Sequence, residues 1–219
     1  MRILAFTDFH GNPEAFRRAR QTIANEKPAF VLVAGDIVNH DAERAKRFLA
    51  NLSEAGSPVY FVPGNMDGAD LTSWSGAESV RALHGRCETW EDVALIGLAG
   101  SPSGSFSTPI EYSEETGAEV LAKASTNCHG GKVILVSHCP PRETKADRAM
   151  SGQHIGSSAV RKFVEEIKPT LVVSGHVHQA QCLDRIGPTI IVNAGPAKSG
   201  DYAIIDMNDG VDVTLAKFM

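Results

Sequence analysis

Short apolar runs alternate with amphipathic helical patterns along most of this chain, and this alternation limits the folds open to it. Strands are predicted at Arg2–Thr7, Ala29–Ala34 and Pro58–Val62, and helices after Asn12 and from Ala42 to about Glu54. Such a succession is typical of a layered α/β domain. From Gln181 onward, short strands joined by tight turns predict antiparallel sheet. With 219 residues and no internal repeat, we expect a single domain over residues 1–219.

The charge and hydropathy patterns exclude several classes of partner. The chain carries 21 Lys and Arg against 26 Asp and Glu, a formal net charge of −5. Duplex nucleic acid needs clustered cations, so it is not an expected partner. The longest apolar run, around Val93–Ala99, is far shorter than the roughly 20 residues that span a bilayer. No secretory signal pattern opens the sequence, so we expect no membrane partner.

The spacing of the cysteines indicates whether the protein is in a reducing or an oxidising cellular compartment. The four cysteines are widely spaced and form no C-x-x-C pair; they are Cys87, Cys128, Cys139 and Cys182. This spacing predicts neither a disulfide framework nor a zinc ribbon. We therefore expect a reducing environment, the cytoplasm.

Polar residues that can bind metal ions follow five of the predicted strands. They are Asp8-Phe9-His10, Gly35-Asp36, Gly64-Asn65-Met66-Asp67, His138, and Gly175-His176-Val177-His178. Open α/β sheets place their ligand sites beyond the C-terminal ends of the strands, so we expect these side chains to meet. Each motif alone is more typical of an ordinary turn. Their combination, in order and each at a strand end, indicates a metal site.

Carboxylate oxygen and imidazole nitrogen together suit divalent Mn, Fe, Co, Ni or Zn. The number of donors predicts two ions. Asp36 is the expected bridging ligand, because a carboxylate has two oxygens. The glycines that precede Asp36, Asn65 and His176 let the backbone bend sharply there.

The ordered series D-x-H, GD, GN, H and G-H-x-H resembles the calcineurin-like metallophosphoesterase superfamily, in particular its small prokaryotic phosphodiesterase-type branch. The resemblance extends from Asp8 to His178. It implies a four-layer α/β/β/α sandwich with two mixed β-sheets and a dimetal site at the C-terminal ends of the strands. Carried over residue by residue, it implies two ligand sets: Asp8, His10, Asp36 and His178 for one metal, and Asp36, Asn65, His138 and His176 for the other.

One position departs from the family pattern. Many members carry a histidine directly after the motif asparagine, where it is thought to protonate the leaving group, but this chain has Met66. Methionine cannot exchange a proton usefully. Asp67, His40 and His154 are the alternatives for this role, although each is more typical of a solvated or capping residue.

The expected activity is hydrolysis of phosphodiesters, or of phosphomonoesters, by a hydroxide that bridges two metal ions. The expected catalytic residues are Asp36, Asn65, His138 and His40, and manganese is the metal favoured in vitro. The alternative is a non-catalytic metal-binding or protein-interaction module of the same fold, which departures among the ligands would favour. The expected partner is a small phosphate ester, with specificity set by the loops Gly100–Pro109 and Arg142–Gly156. Trp74 and Trp90 hint at a contact patch, as in a homodimer.

Overall fold

The computed structural model describes residues 1–104, 107–126 and 128–218. Part of the predicted loop Gly100–Pro109 therefore lies outside the described residues. Among the described residues, the α-helices are α1 (Pro13–Glu26), α2 (Ala42–Ser53), α3 (Glu114–Ser125) and α4 (Ser158–Ile167). The strands are β1 (Arg2–Phe6), β2 (Phe30–Ala34), β3 (Val59–Val62), β4 (Gly76–Ala77), β5 (Val80–Ala82), β6 (Cys87–Trp90), β7 (Val93–Leu98), β8 (Ser101–Pro102), β9 (Glu111–Tyr112), β10 (Lys132–Ser137), β11 (Leu171–Ser174), β12 (Cys182–Ile186), β13 (Thr189–Asn193), β14 (Asp201–Met207) and β15 (Val211–Lys217).

Two mixed sheets form the middle of the molecule. The first has the order β15-β14-β1-β2-β3-β5-β4, and the second has the order β12-β13-β11-β10-β7-β6. The inner strands of each sheet are parallel, and antiparallel strands lie at the edges. In register, Ala5 lies between Leu32 and Ala203 in the first sheet, and Ile134 lies between Leu95 and Leu171 in the second.

Three apolar clusters hold the layers together. One joins α1 and α2 to the first sheet, through residues such as Phe16 and Leu49. The second fills the space between the sheets, where Leu32 and Ile134 are fully buried. The third joins the second sheet to α3 and α4. The four-layer α/β/β/α sandwich expected from the resemblance is therefore confirmed.

The first crossover helix begins and ends at residues with clear capping roles. Asn12 accepts hydrogen bonds from the N–H groups of Glu14 and Ala15, and Pro13 occupies the first turn, where its missing N–H is not needed. The helix ends at Lys27, which is left-handed with φ 47°. It buries the predicted apolar stripe that starts at Ala15 and ends at Ile23. This packing turns the chain back so that β2 runs parallel to β1.

The C-terminal strands differ from the sequence expectation in one respect. The antiparallel pairs β12–β13 and β14–β15 form as predicted. However, β13 also pairs in parallel with β11, whereas β14 pairs with β1 in the other sheet. The tail thus closes an edge of each sheet instead of forming one antiparallel sheet. The alternation of apolar residues within a strand does not reveal which neighbour that strand will have.

The cysteine expectation needs a correction. Cys87 at the start of β6 and Cys128 after α3 form a disulfide, with their Cα atoms 5.5 Å apart. The two cysteines meet because β6 is the edge strand beside the end of α3, a proximity that a separation of 41 residues does not reveal. Disulfides persist mainly in oxidising compartments. The expected cytoplasmic location loses its support from cysteine spacing and stays a prediction.

The contact patch expected at the tryptophans stays a prediction. Trp74 packs against Phe61, and Trp90 packs against Phe30, with ring centroids 5.5 and 5.8 Å apart. Both tryptophans are half-buried against the cores of their own chain. A homodimer also stays a prediction. Among the residues described, no helix has the length and apolar character needed to cross a membrane.

Candidate metal centre

The ends of five strands meet where the two sheets face each other, and they bring all seven predicted ligand residues together. The segment after β1 lies alongside the segment after β2, because the N–H groups of Asp8 and His10 donate to the carbonyls of Gly35 and Asp36 at 2.9 and 2.8 Å. The second sheet reaches the same place through His138, whose Nδ1 lies 2.7 Å from the Ala34 carbonyl. The site therefore depends on both sheets.

The first group of ligand atoms belongs to Asp8, His10, Asp36 and His178. All four offer donor atoms that lie within 4.8 Å of one another. His178 Nε2 lies 3.1 Å from Asp8 Oδ1 and 3.1 Å from His10 Nε2, and His10 Nε2 lies 3.5 Å from Asp36 Oδ2. Donors that share one ion at bonds of about 2.0–2.2 Å are separated by about 3–4 Å. The spacing of this group is therefore that of a single cation site.

The second group belongs to Asp36, Asn65, His138 and His176. Asn65 Oδ1 lies 3.0 Å from His138 Nε2 and 3.1 Å from His176 Nδ1. The other oxygen of the shared carboxylate, Asp36 Oδ1, lies 3.5 Å from His138 Nε2. The two oxygens of Asp36 therefore face different groups, as a bridging ligand requires.

The chemistry of these donors fits cations better than hydrogen bonding among themselves. A backbone carbonyl can only accept, so His138 Nδ1 carries the proton that Ala34 accepts. In a neutral ring, the lone pair of His138 Nε2 then faces two more acceptors, the side-chain oxygens of Asn65 and Asp36. Without a donor among them these acceptors repel one another, and either a bound cation or a proton on Nε2 would relieve that repulsion.

The backbone is strained at four of the predicted ligand residues. Asp8, His10, Asp36 and His176 all have positive φ, from 47° to 66°. Left-handed backbone at residues other than glycine costs about 1–3 kcal/mol each and is concentrated at functional sites. This arrangement aims the side chains into the gap between the sheets.

Two glycines allow the close approach of the strand ends. A Cβ on Gly64 would overlap the Asp36 carboxylate and backbone, and a Cβ on Gly175 would overlap the side chains of Thr7 and Asp8. In the space left by Gly175, Asp8 Oδ2 accepts hydrogen bonds from the Thr7 hydroxyl at 2.8 Å and from the His176 N–H at 3.1 Å. These contacts fix the carboxylate of Asp8 in place.

Burial and mutual charge set the electrostatics of the cluster. Burial raises the pKa of Asp8, but the hydrogen bond with His178 and the charge of His138 outweigh it and hold that pKa below its ordinary value. Burial lowers the pKa of His138, but the charges of Asp36 and Asp8 leave it raised. Burial, with the neighbouring His138, lowers the pKa of His176 to about 3. His176 is therefore neutral near pH 7, the form that binds metals.

Asp67 has a structural position that the sequence did not indicate. It is fully buried, and its carboxylate accepts the N–H groups of Ile37, Val38 and Gly64 at 3.1, 2.8 and 2.8 Å. Burial and the charge of Asp36 raise the pKa of Asp67 to about 7, although those N–H groups oppose the shift. Asp67 thus ties the loop of Asp36 to the loop of Asn65. This position does not suit the proton donor considered from the sequence.

Sequence reasoning also missed Asn39, whose Oδ1 lies 2.8 Å from His10 Nδ1. This contact orients the ring so that Nε2 faces the ligand group. No motif marks Asn39, because it lies in an irregular loop three residues after Asp36. His40, beside it, has an exposed imidazole, and its N–H donates to the Met66 carbonyl at 2.8 Å. The catalytic role expected for His40 stays a prediction.

A cleft of about 620 Å³ opens beside the second ligand group. Asn65 and His176 line it on one side, and Arg142 and His154 from the long loop line it as well. Lys145, from the same loop, lies in a different groove with Asp184. The long loop thus contributes one cation and one imidazole to the surroundings of the ligand cluster.

Known proteins resemble this chain in sequence and in fold. An uncharacterized protein of Methanocaldococcus jannaschii is 30% identical over 203 residues, which cover 90% of this chain and 88% of that protein. A Pseudoalteromonas protein named as a probable cyclic nucleotide phosphodiesterase is 28% identical over 170 residues, 75% of this chain and 62% of its own length. The crystal structure of the protein TT1561 of Thermus thermophilus has a TM-score of 0.79 at 17% identity and covers 100% of this chain and 99% of its own.

The assignment of this chain to a family rests on a sequence match that covers most of its length. The sequence model that describes calcineurin-like phosphoesterases matches residues 1–180, which contain every residue of both ligand groups. The mixed sheets and the Asp and His cluster agree with this match. The chain belongs to the calcineurin-like phosphoesterase family.

Proposed function

We propose that this chain hydrolyses small phosphodiesters with the help of two divalent metal ions. The proposal is carried by one observation: acceptor side chains from five strand ends converge on two adjacent points that share Asp36. Asp8, His10 and His178 would complete the first site, and Asn65, His138 and His176 would complete the second. Bound divalent ions would supply Lewis-acid catalysis, because they polarise phosphoryl oxygens and lower the pKa of coordinated water.

The charge of the site favours an anionic substrate. Asp8 and Asp36 are the carboxylates of the two groups, whereas Asn65 and the histidines bind as neutral ligands. Two carboxylates balance only half the charge of two divalent ions, so the site attracts a phosphate ester. Oxygen and imidazole ligands suit manganese, the metal we expect to work best in vitro.

A diester is the favoured substrate because the Pseudoalteromonas relative is named as a probable cyclic nucleotide phosphodiesterase. The cleft of about 620 Å³ beside Asn65 leaves room for the organic group of the ester. A metal-binding side chain occupies every ligand position, which favours an enzyme over a binding module of the same fold.

The test compares bis-p-nitrophenyl phosphate with p-nitrophenyl phosphate, using metal-stripped protein to which manganese is returned. We expect metal-dependent turnover that prefers the diester. Asp36→Asn should reduce it by at least ~100-fold, since it weakens both metal sites together. The matched control is Asp209→Asn, which changes an exposed carboxylate in the turn between β14 and β15 and should leave turnover unchanged.

Three results would contradict the proposal. Turnover by Asp36→Asn within tenfold of the unsubstituted protein, at saturating manganese, would refute the role of the shared carboxylate. A preference for the monoester would refute the diester assignment and indicate a phosphatase. No turnover of either ester, with manganese bound, would favour the binding module.

A further inference from the structure

We propose that His154, oriented by the buried carboxylate of Asp147, contacts the leaving group of the substrate and protonates it. The inference rests on the proposed function and adds a residue that belongs to no strand-end motif. It answers a chemical need, because Met66, the neighbour of the ligand Asn65, cannot supply a proton.

Asp147 is the centre of the long loop between β10 and α4. Its side chain is fully buried, yet it belongs to neither ligand group. The carboxylate accepts the N–H groups of Glu143, Thr144 and Gly156 at 3.1, 2.9 and 3.0 Å. These bonds join the two ends of the loop, and they fix the carboxylate that faces His154.

His154 is the side chain that this carboxylate orients. His154 Nδ1 lies 2.7 Å from Asp147 Oδ1. Both oxygens of Asp147 already accept backbone N–H groups, so Nδ1 is the donor and Nε2 is left available. The backbone is held as well, since His154 pairs with Arg148 across an antiparallel bridge and the Ile155 N–H donates to the Asp147 carbonyl at 3.1 Å. Both the ring and its support are therefore rigid.

The position of His154 suits contact with a leaving group. Its side chain is 38% exposed and lines the same cleft as Asn65 and His176. A phosphate held between the ligand groups would extend its ester group into this cleft. Among the described residues that line the cleft, His154 is present and His40 is absent.

Two other acids of the cleft are already engaged. Glu114 accepts the Ser157 hydroxyl and the N–H groups of Ser158 and Ala159 at the start of α4. Glu111 accepts the N–H and the hydroxyl of Thr108. Arg142 also lines the cleft, and an always-protonated guanidinium is suited to binding a phosphate oxygen but not to donating a proton. His154 is therefore the suitable acid.

The proton transfer balances without a further reactant. When the bond between phosphorus and the leaving oxygen breaks, the electron pair stays on that oxygen and the Nε2 proton of the imidazolium moves to it. The ring becomes neutral and keeps its Nδ1 proton in the bond to Asp147, and solvent then returns a proton to Nε2. General acid catalysis of this kind contributes about 10²–10⁴-fold, most for the more basic leaving groups.

The test measures His154→Gln with two diesters whose leaving groups differ in basicity, bis-p-nitrophenyl phosphate and diphenyl phosphate. We expect kcat for diphenyl phosphate to fall about 100-fold, with a loss below about fivefold for the nitrophenyl ester and with KM and bound manganese unchanged. The matched control is His129→Gln, an exposed histidine that precedes β10, at the far end of the strand from His138. It should leave both rates unchanged.

A second readout does not depend on turnover. In the ¹⁵N NMR spectrum of metal-free protein, recorded at a pH high enough to leave one proton on the His154 ring, that proton should lie on Nδ1. Three results would overturn the assignment. They are the Nε2–H tautomer, an equal loss of kcat on both diesters in His154→Gln, and a leaving-group-dependent loss of kcat in His40→Gln but not in His154→Gln. If the unsubstituted protein hydrolyses neither diester with manganese bound, the proposed function itself fails, which is a distinct result.

Discussion

Asp67→Asn is expected to weaken both the fold and metal binding, because Asp67 joins the loops that carry Asp36 and Asn65. One oxygen of the buried carboxylate accepts the N–H groups of Gly64 and Ile37, and the other accepts the N–H of Val38. An amide replaces one of these oxygens with a donor. If the retained oxygen keeps the first pair, the Val38 N–H loses its partner.

The size of the effect follows from the number of groups left without a partner. One buried N–H left unsatisfied costs about 1–3 kcal/mol, but Asp67→Asn also removes the charge that burial and Asp36 disfavour, so we expect a net loss in the free energy of unfolding toward the lower end of that range. Asp67→Ala leaves three such groups and costs on the order of 3–9 kcal/mol, which approaches the whole stability of a typical domain. The asparagine variant is therefore the informative one, since it should still fold.

Urea unfolding of metal-stripped protein measures the first effect, and calorimetric titration with manganese measures the second. We expect manganese affinity to fall about 10–100-fold, as for other groups that orient metal ligands. The matched control is Asp70→Asn, three residues along the chain, where the side chain is exposed. If Asp67→Asn unfolds at the same urea concentration as this control and binds manganese equally well, the reasoning is refuted.

Two further predictions concern stability away from the ligand groups. Cys87→Ser should lower the free energy of unfolding by up to about 4 kcal/mol under oxidising conditions, because the disulfide with Cys128 closes a loop between residues that are 41 apart in the sequence. Equal urea unfolding curves for the variant and the unsubstituted protein would contradict this. Burial raises the pKa of Glu114, but hydrogen bonds from the N–H of Ala159 and the hydroxyl of Ser157 outweigh it and leave that pKa lowered. The ionised carboxylate of Glu114 therefore stabilises the fold at pH values above its ordinary pKa. Because this side chain is partly exposed, the gap between the unsubstituted protein and Glu114→Gln at pH 7 should be below about 1 kcal/mol, and it should close as the pH falls through the lowered pKa. A gap that persists in urea unfolding from pH 7 to pH 2 would contradict this.

The sequence predicted which residues cluster because a strand end can be recognised from a local sequence pattern, and its position in the sheet places the residues that follow it. An apolar run followed by Asp8 or His138 identifies a strand and its C-terminal end, and parallel strands bring those ends to one edge. The four layers then followed from the resemblance. In both cases the information lies within a few neighbouring residues, or in their order along the chain.

Other features depend on contacts between distant loops, which a local pattern does not encode. Asp67 meets Ile37 and Val38 across 30 and 29 residues, and the disulfide joins a strand to the end of a helix. The split of the C-terminal strands between the two sheets has the same origin, since Thr189–Asn193 and Asp201–Met207 are both ordinary apolar strands. Their partners, β11 and β1, lie far from them in the sequence.

The left-handed backbones of Asp8, His10, Asp36 and His176 connect the fold to the chemistry of the site. Together they cost on the order of 4–12 kcal/mol, as much as a domain's net stability. The buried parallel strands that precede these residues offset this cost. Their apolar side chains are removed from water on both faces of each sheet, which stabilises the fold. The apolar layers thus hold these acceptors close together, and we expect a cation that relieves the repulsion among them to bind to a site that is already formed.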